Sequence, residues 1–83
     1  MAQLGAAVAC LAGITAEELC SGTRRPAVVA ARRALAQVAI RELGRPGAAV
    51  ARYLGVATST ANRAVGAELD GLAQQLLATL ADR

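Results

Sequence analysis

One aromatic side chain, Tyr53, with no Phe and no Trp in 83 residues, leaves the interior of this chain to be filled by Leu, Val, Ile and a great deal of Ala. Side chains that small close a core only when the elements carrying them approach closely, which is what Ala-rich helices do. Hydrophobic residues at 55% and charged residues at 18% exclude a disordered tail. The length suits one domain and leaves no room for a second. We therefore expect residues 1–83 to form a single all-α unit, a compact bundle of five to six helices.

The spacing of apolar residues places those helices. Leu4, Ala7, Val8 and Leu11 recur at three- and four-residue steps up to Ala12, and Gly13 ends the run. Thr15-Ala16-Glu17-Glu18 reads as a capping box opening a short helix over Ala16–Cys20. Pro26 suits the first turn of a longer helix running to Leu43, with Val28, Ala31, Leu35, Val38 and Ala39 on one face and Gly44 as its stop. Two short helices follow, from about Ala48 to Leu54 and from about Thr58 to Val65. Beyond Gly66 a closing helix carries Leu69, Leu72, Ala73, Leu76, Leu77 and Leu80 at the 3.6-residue period. No stretch alternates in the manner of a strand.

Residues 47–65 carry the functional reading, because their spacing is that of a helix-turn-helix. Ala51 is small where two helices must cross, and Gly55, four residues on, supplies a left-handed turn. Val50, Leu54, Val56, Ala61 and Ala64 fall inward. What the second helix leaves outside is Thr58, Ser59, Asn62 and Arg63, side chains able to hydrogen-bond base edges in a major groove. The net charge of +3 permits a polyanionic partner. All nine basic residues are Arg, and Arg24, Arg25, Arg32, Arg33 and Arg52 are the candidates for neutralising phosphates.

The order of elements, with Ile14-Thr15-Ala16-Glu17-Glu18-Leu19 before an Arg-rich gap and then Ala31-Arg32-Arg33-Ala34 and Arg41-Glu42-Leu43-Gly44, resembles the C-terminal domain of the bacterial replication initiator DnaA. It is equally similar to the DnaA-related domain at the C-terminus of some tyrosine transposases, which the Gly55-Val56 pair favours. The resemblance implies a duplex contact from Arg32, with Arg33 one residue out of register, and base reading from Thr58, Ser59 and Thr60. Its implied partners are double-stranded DNA and an N-terminal domain of the same protein.

Enzymatic readings find little support. There is no phosphate-cradling G-x-x-x-x-G-K-[ST] loop. With no His in the chain, Tyr53 lacks the metal ligands that a nucleophilic tyrosine in a transposase would need, and we read it as a packing or phosphate-contacting residue. No cofactor, membrane or small-molecule substrate is expected. Cys10 and Cys20 are read as small buried hydrophobes. That cysteine usage, with an apolar Leu4–Ile14 stretch too short to span a bilayer and no basic segment before it, suits the cytoplasm. The competing reading is a helical protein-protein interaction module that docks or dimerises through the Leu69–Leu80 face, which would require that apolar stripe to be exposed.

Overall fold

In a computed structural model, which describes residues 2–21, 24–66 and 71–81, the chain is a bundle of six α-helices: α1 (Ala2–Ala12), α2 (Ala16–Cys20), α3 (Pro26–Gln37), α4 (Gly47–Leu54), α5 (Thr58–Val65) and α6 (Gly71–Ala81). No strand occurs among the described residues. The local punctuation acts as the sequence suggests. Thr15 caps α2, its hydroxyl accepting from the Glu18 amide at 3.1 Å while the Glu18 carboxylate accepts from the Thr15 amide at 3.2 Å. Pro26 occupies the first turn of α3.

The expected buried face of the long helix, namely Val28, Ala31 and Leu35 of α3 with Val38 and Ala39 just beyond it, is fully enclosed. So is every residue from Ala34 to Ala39. A helical segment buried on all sides is the axis of a bundle, and α1, α4, α5 and α6 pack around the helix that carries this one. Alanines at positions 31, 34, 36 and 39 keep its profile thin enough for that. Full burial of a side chain such as Leu35 contributes roughly 1.5–3 kcal/mol.

The long helix does not run to Leu43 as a regular α-helix. After Gln37 it widens into a π-helical turn, Val38–Glu42, with the Leu43 amide reaching the Val38 carbonyl at 3.1 Å. The Arg45 amide then closes on the Ala39 carbonyl at 2.9 Å. A wider turn accommodates one more residue in the same rise. It does so where the helix leaves the enclosed core.

The cysteine expectation is overturned, since Cys10 and Cys20 are both free and exposed. On α1 the core takes Leu4, Val8 and Ala9, and a residue two positions after Val8 lies about 200° round the helix, on the far side. Cys20 is the last residue of α2, one step beyond the buried Leu19.

The leucine stripe of α6 turns inward: Ala73 and Leu76 are fully buried, and Leu72, Leu77 and Leu80 pack against the core. Leu69 lies outside the described residues. The exposed apolar stripe that a docking helix needs is not what α6 presents. Among the described residues, no helix is long and apolar enough to cross a membrane.

Candidate nucleic-acid interface

Two eight-residue helices, α4 and α5, form the proposed hairpin, and neither could persist alone at that length. Their stability comes from what they bury. Helix α4 puts Val50, Ala51 and Leu54 into the core, and Ala51 is only 2% exposed. Tyr53 adds a brace. Its hydroxyl lies against Gly5 of α1, where any β-carbon would collide with it, and Cys20 of α2 lies beside it. Desolvation first, and then the adjacent Cys20, hold its pKa above the ordinary tyrosine value. Tyr53 is thus a packing residue that joins α4 to α1 and α2.

The turn is closed by Gly55, whose φ of +72° lies in the left-handed region. The Gly55 and Val56 amides both return to the Ala51 carbonyl, the latter at 3.0 Å. Gly66, at φ −74° with only an ordinary 3.6 Å approach to the Arg63 carbonyl for an added β-carbon, makes no such demand. Gly55→Val is therefore expected to cost about 1–3 kcal/mol through backbone strain, while Gly66→Ala is neutral or stabilising by up to about 1 kcal/mol. In thermal melts of a domain this size that is a gap of roughly 4–8 °C per kcal/mol. Equal melting temperatures would mean that the turn is not held by Gly55.

Helix α5 anchors itself through Ala61, 2% exposed. Thr58, Ser59, Thr60, Asn62 and Arg63 are all exposed. Residues two steps from Ala61 in either direction lie about 200° away from it. Ser59 and Arg63 therefore form the centre of the outward face, one turn apart. Thr60 sits on the flank toward α3 and helps line the groove there. Asn62 sits on the other flank, its carboxamide laid over Gly47 at the start of α4, where a β-carbon would collide with Oδ1. That contact explains why glycine stands at the first position of α4, preceded by Pro46 and without a side-chain cap. It also removes Asn62 from the centre of the outward face.

The arginines divide by what they touch. Arg24, Arg33, Arg52 and Arg63 are exposed, and among the described residues none has an ion-pair partner. Arg25 pairs with Glu18, a surface contact worth about 0–1 kcal/mol. Arg32 turns the other way. Its Nε donates to the Leu19 carbonyl at 2.9 Å and its terminal nitrogen reaches the carbonyls of Glu18, at 3.4 Å, and Ser21. A cation on the last carbonyls of a helix satisfies acceptors that the helix itself leaves open. Arg32 is held at the end of α2, and Arg33 is the member of the pair left facing outward. Neither α4 nor α5 carries an acidic residue.

One positioning residue has no counterpart in the sequence-based set. Gln37, fully buried, donates from Nε2 to the Ala64 carbonyl at 3.0 Å and so ties the end of α5 to α3. The signal was available: Gln37 is the only polar residue in the run Ala34–Ile40. A lone polar residue inside a continuous apolar run is either misplaced or hydrogen-bonded.

Compared with protein-family models, curated proteins and solved structures, the chain matches none of them.

Proposed function

We propose that this chain is a double-stranded DNA-binding module, a binding domain without catalytic activity, that reads the major groove with α5. The observation that carries the reading is the division of α5: Ala61 is locked into the core, while Thr58, Ser59, Thr60, Asn62 and Arg63 are exposed on a helix held behind a left-handed Gly55 turn. Ser59 and Arg63 contact base edges, and Arg24, Arg33 and Arg52 hold phosphates. The resemblance to the DnaA C-terminal domain supports a sequence-specific role in replication initiation or transposition, with an N-terminal domain of the same protein as partner. Two free thiols at the surface suit the reducing cytoplasm.

The test is fluorescence anisotropy with random and selected duplexes across a salt series. Three phosphate contacts predict that log K falls against log salt with a slope of roughly −2 to −4. No binding to any duplex at low salt would overturn the proposal.

A further inference from the structure

Between α3 and α5 the surface is hollowed into a groove of about 540 Å³. Its floor is apolar, built from Val29, Ala36, Leu54 and Val56 among others, and Arg24, Arg32, Arg33 and Arg63 surround it. Among the described residues, no carboxylate lines it. Val29 is 41% exposed, one of only three large hydrophobic residues left in the open among those described, and it lies here. A phosphodiester backbone accounts for the arginines but matches the apolar floor poorly, because its evenly spaced phosphates leave only small sugar surfaces between them. A ligand matching both features carries anionic and apolar groups on one surface, as an acidic amphipathic helix does.

We propose that this groove docks an acidic amphipathic helix of a partner protein, its leucine-type side chains on the Val29–Val56 floor and its Asp and Glu residues against Arg24, Arg33 and Arg63. The dimensions agree. Pockets of roughly 300–1,000 Å³ enclose small ligands, so this one takes a few side chains of a docked segment. Helix-in-groove recognition places its anchors at i, i+3, i+4 and i+7, and a floor flanked by cations on both α3 and α5 selects against basic or neutral helices. Arg24, Arg33 and Arg63 are shared with the proposed DNA contacts, so the partner helix and the duplex exclude one another. The peptide site does not depend on duplex binding, and stands or falls separately from it.

The experiment uses the full 83-residue chain and a fluorescein-labelled synthetic helix with leucines at i, i+3, i+4 and i+7 and Glu or Asp elsewhere. A control peptide of the same charge has Gln in place of the leucines. At physiological salt the leucine peptide is expected to bind at least tenfold more tightly than the control. Val29→Glu and Arg33→Glu should each weaken it at least tenfold, and a duplex that binds the chain should displace it. Val29→Ser is the milder floor variant should Val29→Glu melt early. Amide shift changes on peptide addition should cluster at Val29, Ala36, Val56 and Thr60. Equal binding of both peptides would show that charge alone acts, and shifts clustered elsewhere, or no binding, would also overturn the proposal. Peptide binding without any duplex binding would retain this site and remove the DNA reading; the reverse would remove only this site.

Discussion

Arg32→Ala should lower the melting temperature of this protein, whereas Arg33→Ala should leave it unchanged. The two residues are adjacent and chemically identical, yet only Arg32 reaches the carbonyls of Glu18, Leu19 and Ser21 at the end of α2. Removing it strips those acceptors of a charged donor. Hydrogen bonds to charged groups contribute about 1.5–3 kcal/mol, reduced here by the partial exposure of the group. A loss of about 1–2 kcal/mol, roughly 4–16 °C in a domain of this size, is the expected effect. Lysine at position 32 should recover only part of it, because its ammonium lacks the fork that spans several carbonyls at once. Arg33→Ala should instead flatten the salt dependence of duplex binding by about one unit. If Arg32→Ala melts like the parent and takes the salt slope with it, Arg32 faces the duplex and its contacts with α2 do not matter in solution.

That pair also shows where sequence reasoning reached and where it stopped. Helix limits were legible because they rest on local chemistry: the Thr15 capping box, Pro26 in a first turn, Gly55 at positive φ. The enclosed face of α3 was legible from its period. The orientation of Arg32 was also legible in principle, since it stands four residues after the buried Val28 and three before the buried Leu35, at the edge of the inward face. Arg33 stands four after Val29, which is exposed. The π-helical turn at Val38–Glu42 was not legible, because Val38, Ala39 and Ile40 satisfy an α-helical and a π-helical pattern equally. Nor was the seat of Asn62, which depends on Gly47 fifteen residues away. Contacts of that kind follow from how two helices cross, and periodicity within one helix carries no record of it.

The outward face of α5 gives the second large effect. Ala61 fixes the rotation of the helix, which leaves Ser59 and Arg63 opposite the core and Asn62 turned back upon Gly47. A reading helix discriminates bases through the side chains at the centre of that face, and a well-placed arginine pairs in bidentate fashion with guanine. On a site selected from a random duplex pool, Arg63→Ala should therefore cost about 1–3 kcal/mol, roughly 5- to 150-fold, and flatten the preference at one base pair. Ser59→Ala should act in the same manner at a neighbouring position, near the lower end of that range, since a hydroxyl makes a single contact. Asn62→Ala should leave the base-preference profile intact and show itself in the melting curve, through the lost packing against α4. Measuring all three variants on the selected site and its single-base alternatives separates these roles. If Asn62→Ala erases a base preference while Arg63→Ala leaves the profile untouched, α5 meets the duplex along its α4 flank, and the face centred on Ser59 and Arg63 is not the one that reads.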